Sequence, residues 1–265
     1  MNAQSRGSAT IGAVAVPSAE ARYLRAVVGR LADVLGDGLV GVYPTGSVAL
    51  GAYTPGRSDL DVMAVVVQPP PEPVLREVAA RLAHEALPCP ATGLEFVVYP
   101  RDVVATAGGH AGYLLDLNTG RQLNAKVSTD PAGEPRFWYV IDRAITAQSG
   151  VSLVGMPVRD VFTAPPFETL REVVVESMRT HAVELGEHGD NAVLNACRAL
   201  RFGAERRWYP KPAAALWARV AVPQFSDLIE SAIASYAAGL AARRQLPGGQ
   251  VSVFLEHVLR RLTDR

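Results

Sequence analysis

Two runs of strand-forming residues, LVGVY at 39–43 and DLDVMAVVV at 59–67, are separated only by residues 44–58. Both are rich in valine, the composition of a buried strand. The connection between them carries Gly46 and Ser47, a short helical turn expected at 47–51, and the loop TPGRS at 54–58, set by its proline and glycine. The second run stops at QPPPEP, which cannot continue a sheet. A chain written this way is expected to form two consecutive strands over 39–67. They are joined at one end by a glycine turn, with two aspartates at the start of the second strand.

The periodicity on either side extends this into an α/β layer. A helix is expected over 18–36, with Ser18 as its cap and Tyr23, Val27, Leu31 and Val34 among its apolar positions. A second helix is expected near 73–86, a strand over 94–99, an edge strand over 112–117, and a helix over 135–148 with Trp138, Ile141 and Ile145 on its inner face. From about residue 164 strand-like runs give way to helical patterns at 167–186, 190–208, 211–221, 224–244 and 250–263. The expected organisation is a flexible tail (1–17), an α/β domain with a mixed sheet (18–160) and an α-helical bundle (161–265). The apolar run Ile11–Val16 is too short for a signal peptide. No stretch approaches the ~20 apolar residues of a membrane span. A cytoplasmic monomer that does not act on membranes is expected.

Asp59 and Asp61 are two apart on the predicted strand, so they project from one face while Leu60 and Val62 enter the core. Neighbouring carboxylates raise each other's proton affinity, and a divalent cation relieves the repulsion. Oxygen-only ligands suit Mg²⁺. Gly46 lets backbone approach a ligand, and Ser47 supplies a hydroxyl and an N–H suited to phosphate oxygens. Two solvated acids on an exposed strand face are the plain alternative. Glu95 shares a strand face with Val97 and Tyr99, where an acid is either desolvated or bound to a cation. Asp102 and Asp116 are weaker candidates for a third acid.

Gly-Ser, then about ten residues, then Asp-x-Asp resembles the nucleotidyltransferase superfamily motif. The resemblance implies that Asp59, Asp61 and Glu95 hold Mg²⁺, that Gly46 and Ser47 cradle the phosphates of ATP, and that Glu95 takes the proton of the attacking hydroxyl. The stretch GDNAVLNACRALRFGAERRWYPKPAAALW at 189–217 resembles the second domain of the aminoglycoside adenylyltransferases that modify streptomycin and spectinomycin. The likeness covers most of residues 20–245. It implies nucleotide contacts at Asn191, Arg198, Lys211 and Ser58. Tyr236 is a further implied contact and could equally be core.

The residues themselves agree with a nucleotide site. On the helix from 190, Val193, Ala196, Cys197, Leu200 and Ala204 form an apolar stripe, and Arg198, Arg201 and Leu194 lie off it. Of 26 basic residues only two are lysines, Lys126 and Lys211. A lysine opening a helix opposes the helix dipole, and an anion nearby would explain it. Six acids fall between 168 and 190, and six bases between 198 and 219. An acidic segment for a cationic acceptor beside a basic one for a triphosphate suits an interdomain transferase.

Two departures bear on the acceptor. The family has an acid three residues before the helix-opening asparagine, where this chain has His188, with Asp190 as a possible substitute. The family also places a tryptophan in the segment that reads NTGRQLN here. Glu184 does match a family acid. Acceptor contacts are therefore expected at Glu184, Glu187, His188 and Asp190. The resulting expectation is Mg²⁺-dependent transfer of AMP from ATP to a hydroxyl of a small cationic aminocyclitol. The alternatives are a nucleotidyltransferase acting on another small molecule or on a partner protein, as antitoxin-like enzymes do, and a non-catalytic nucleotide-binding module. Zero net charge argues against a nucleic-acid substrate. Cys89 and Cys197 have no metal-like spacing and read as small buried thiols.

Overall fold

The computed structural model of the protein describes residues 14–183, 189–242 and 244–264. The first layer begins with α1 (Ser18–Leu35), which buries Tyr23, Leu24, Val27, Val28 and Leu31 at helical spacing. Pro17 precedes the helix and Ser18 is already its first residue, so the expected serine cap is absent; Gly36 ends it with φ 52°. β1 (Leu39–Pro44) leads through the one-turn α2 (Gly46–Ala49) and a loop to β2 (Leu60–Val66). α3 (Glu72–Leu82), shorter than its periodicity predicts, crosses over to β3 (Leu94–Pro100), followed by α4 (Arg101–Ala105). β4 (Leu115–Thr119) and β5 (Lys126–Ser128) form a hairpin, α5 (Arg136–Ser149) follows, and β6 (Val154–Gly155) closes the layer.

The sheet order is β5-β4-β3-β2-β1-β6. β2 and β3 are parallel and the other neighbours antiparallel. β4, expected at an edge, is covered by β5, a three-residue strand too short to read from sequence.

Alternation sorts each strand's residues to two faces. Leu60, Val62, Ala64 and Val66 of β2 and Leu94, Phe96 and Val98 of β3 pack beneath α1 and α3. Met63, Val65 and Tyr99 face the other way and pack with Tyr113, Tyr139 and Phe162. Asp61 and Glu95 lie on this second face, at the same end of two parallel strands.

The helical part comprises α6 (Phe167–Val183), α7 (Asp190–Glu205), α8 (Lys211–Ala221), α9 (Ser226–Ala237) and α10 (Gly248–Thr263). α7 sits centrally and is buried on more than one side. Leu194, expected off the stripe, is therefore fully buried, and Ala204, expected on it, is exposed. The helical core also takes in Phe137, Val140, Ile141, Ala144 and Ile145 of α5, while Tyr139 serves the sheet. α5 is thus common to both layers. Trp138, expected to point inward, is 48% exposed because these two packed faces leave it on the flank between them. Both cysteines are buried thiols. Among the described residues no helix is long and apolar enough to cross a membrane.

Candidate active site

The parallel register pairs Asp61 with Glu95, and Asp59 lies one residue before β2 begins. Each of the three carboxylates can offer an oxygen within 4.8 Å of the others. Burial is the first cause that raises the proton affinity of all three. Asp61 is raised further by Asp59 and Glu95, and Glu95 is pushed up to about 8. Three hard oxygen donors that repel one another at this range fit Mg²⁺, whose charge would restore the ionised forms. The phosphate turn is built against this group. Gly46 has φ 54°, and a Cβ there would run into Asp61 Oδ2, so both conformation and space require glycine. Thr45 donates its backbone N–H to the Asp61 carbonyl at 2.9 Å and its hydroxyl to the Asp142 carbonyl at 3.0 Å. This ties the turn to the carboxylate strand and to α5. Ser47 Oγ is buried in the turn and has no hydrogen-bond partner among the described residues.

The helical layer supplies the opposite charge. Asn191, Asn195 and Arg198 of α7, Lys211 at the start of α8 and Tyr236 of α9 line a cavity of about 240 Å³ together with Gly46, Ser47, Ser58, Asp59, Asp61 and Glu95. Every nucleotide-contact residue expected from sequence therefore borders one chamber. Lys211 Nζ lies 3.4 Å from Asn191 Oδ1. Burial, and then Arg198 beside it, lower the Lys211 ammonium to about 8. Burial likewise lowers Arg198, which Asp142 partly offsets. Two cations held close together in a site that costs both of them proton affinity call for an anion. Ser58 Oγ accepts the Thr54 backbone N–H at 3.0 Å, so this serine shapes the loop in front of Asp59 as well as lining the chamber.

Three residues of the site escape sequence reasoning. Arg57 is 7% exposed; its Nη2 bonds Asp190 Oδ1 at 2.6 Å and its guanidinium stacks on Tyr236 at 4.5 Å. Its Nη1 is buried with no hydrogen-bond partner among the described residues, and the residue lines the chamber. Asp142 of α5 is a fourth carboxylate, pushed up to about 6 by burial. Trp138 lines the same wall. Helical spacing links Trp138 to Asp142, but only the fold shows that this flank faces the carboxylates. For Arg57 nothing local identifies its partner, which lies on α7.

Asp190, expected to meet the acceptor, is 0% exposed and receives hydrogen bonds from Arg57 and, at 2.8 Å, from Ser235. The structure places it behind the chamber as a support for Arg57, since a carboxylate with both oxygens held by buried donors is withdrawn from the surface. Glu184, Glu187 and His188 lie outside the described residues.

A second cavity of about 360 Å³ adjoins the first. It is bordered by Asp61, Glu95, Trp138 and Asp142, which also border the first, and by Asp116, Asn118, Lys126, Glu134 and Tyr139. The sheet register sets one row across it: Asp61 opposite Glu95, Glu95 opposite Asn118, Asn118 opposite Lys126.

Residues 160–261 match the family described as aminoglycoside adenylyltransferase, C-terminal domain. The fold is similar to that of spectinomycin adenyltransferase AAD(9) from Enterococcus faecialis, solved with ATP and spectinomycin. The TM-score is 0.70 at 15% identity, over 91% of this chain and 98% of that one. No curated protein sequence matches the chain.

Proposed function

We infer, from the match of residues 160–261 to the C-terminal domain of the aminoglycoside adenylyltransferases, that the protein transfers AMP from ATP to a hydroxyl of an aminocyclitol or aminoglycoside in the cytoplasm. The observation that carries this reading is the position of the carboxylates. Asp61 and Glu95 stand at the seam between a cation-lined chamber and a second, carboxylate-rich one, and Asp59 completes the group from the first chamber. Mg²⁺ held by these three would neutralise charge on the phosphates and favour displacement at phosphorus.

The chain's own residues account for the rest. Arg198, Lys211 and the free edge of Arg57 bind the triphosphate, and Ser47 donates to a phosphate oxygen. Tyr236 stacks beside the base or ribose, and Asn191 holds Lys211 in place. Glu95 accepts the proton of the acceptor hydroxyl. The hydroxyl oxygen bonds to the α-phosphorus, the bond from that phosphorus to the bridging oxygen breaks, and pyrophosphate leaves carrying the electron pair. Catalysis rests on positioning and preorganised charge.

The test is pyrophosphate release with ATP and Mg²⁺ in the presence of spectinomycin, streptomycin and other aminoglycosides, with the product's mass checked for one added AMP. Release that depends on an aminocyclitol or aminoglycoside is the expected result. Release with none of them sinks the acceptor class.

A further inference from the structure

The second chamber has a feature that adenylyl transfer alone does not require. Lys126 Nζ lies 2.9 Å from Asp116 Oδ2 and 2.9 Å from Glu134 Oε2. An ammonium is thereby clasped between two carboxylates, in the register row of Glu95 and two strands from it. Asp116 is fixed from behind by the Tyr139 hydroxyl at 2.8 Å, and is itself buried. The ammonium is less constrained: the Lys126 side chain is 32% exposed, and β5, which carries it, is the short edge strand. The chain has only two lysines among its 26 basic residues, and each lines one of the two chambers. A lysine presents a point charge on a flexible stem, whereas an arginine would lock both acids with a rigid fork.

We propose that this chamber receives the acceptor, and that an ammonium group of the acceptor takes the place of Lys126 between Asp116 and Glu134. The proposal rests on the adenylyl-transfer reading and assigns Asp116 and Glu134 as the ammonium subsite of the same site, with Lys126 as its internal competitor. Charge supports it. Five carboxylates (Asp61, Glu95, Asp116, Glu134 and Asp142) border the chamber against the single ammonium of Lys126. Even with Asp61 and Glu95 committed to a cation, the far wall keeps more acid than base. Trp138, 48% exposed, supplies a flat apolar surface that a cyclitol or sugar ring can cover. The row Asp61–Glu95–Asn118–Lys126 sets the spacing. An acceptor anchored at the Lys126 end can then present a hydroxyl at the Glu95 end. The departing lysine swings toward solvent on its flexible stem, and the incoming ammonium replaces its charge against the buried Asp116, so neither carboxylate is left unpaired.

Calorimetric binding of spectinomycin and streptomycin to the full-length protein without nucleotide tests this. ATP affinity serves as the control for folding and for the first chamber. Lys126→Met should tighten binding of at least one of them about fivefold, because the competing internal ammonium is gone. Glu134→Gln should weaken the same ligand about tenfold, and ATP affinity should hold in both variants. Weaker binding in Lys126→Met, equal binding in Glu134→Gln, or no binding of either compound by the unaltered protein overturns the proposal. Turnover is read separately. Ligands that bind as stated but are never adenylylated would refute the transfer reaction and leave the chamber assignment standing.

Discussion

Gly46 and Asp61 cannot be altered independently, because the glycine's missing side chain is the space that the carboxylate occupies. Gly46→Ala should therefore displace Asp61 and lower kcat by at least ~100-fold, with ATP binding weakened less, since the cations of α7 and α8 are untouched. Steady-state kinetics paired with nucleotide titration would show the split. Glu95→Gln keeps the size and the strand pairing and removes the proton acceptor. Turnover should fall by ~10²–10⁴-fold while ATP still binds, and normal turnover in that variant would remove Glu95 from its role as base. These residues were legible in the sequence because a strand's period of two and a glycine before a serine are local signals. Asp142, Trp138 and Arg57 were not. The first two lie on a helix flank whose direction depends on two packed faces, and Arg57 gains meaning only from Asp190 on a distant helix.

The loop that delivers Asp59 is anchored to the helical layer through a chain of buried bonds. The Arg244 backbone N–H donates to Ser235 Oγ, Ser235 donates to Asp190, and Asp190 receives Arg57. An ion pair with both side chains almost fully buried is costly to break from one side, by ~3–5 kcal/mol, because the remaining charge stays in a dry site. Asp190→Ala should lower the melting temperature by roughly 10 °C and raise the KM for ATP as Arg57 loses its hold. A variant that melts normally would mean that the loop is positioned by something else. At this scale sequence periodicity located most helices and strands, and it missed what neighbours decide. β5 is too short to register as a pattern, so β4 read as an edge. α7 showed one stripe, while its central place buries Leu194 as well.

The whole molecule should report its carboxylates through pH. In the metal-free protein Glu95 titrates at about 8 against an unfolded value of 4.5, so the folded state keeps a proton that the unfolded chain has released between those values. Stability therefore falls as pH rises through that window. Asp142 adds the same sign between 3.8 and about 6. Lys211, lowered to about 8 from 10.5, acts with the opposite sign and only above pH 8. Calorimetric melting in chelator should show a decline between about pH 5.5 and 8. The rise in melting temperature on adding Mg²⁺ and ATP should be larger at the alkaline end, because cation binding needs the ionised acids. A flat profile in chelator would show that the carboxylates are not desolvated in the folded protein. The two chambers share one wall of four residues, Asp61, Glu95, Trp138 and Asp142. A single molecule joining an adenine nucleotide to an amine-bearing ring by a tether of matching span would occupy both at once. Its second half would bind at the effective concentration set by that tether, so two modest affinities would compound into one strong inhibitor.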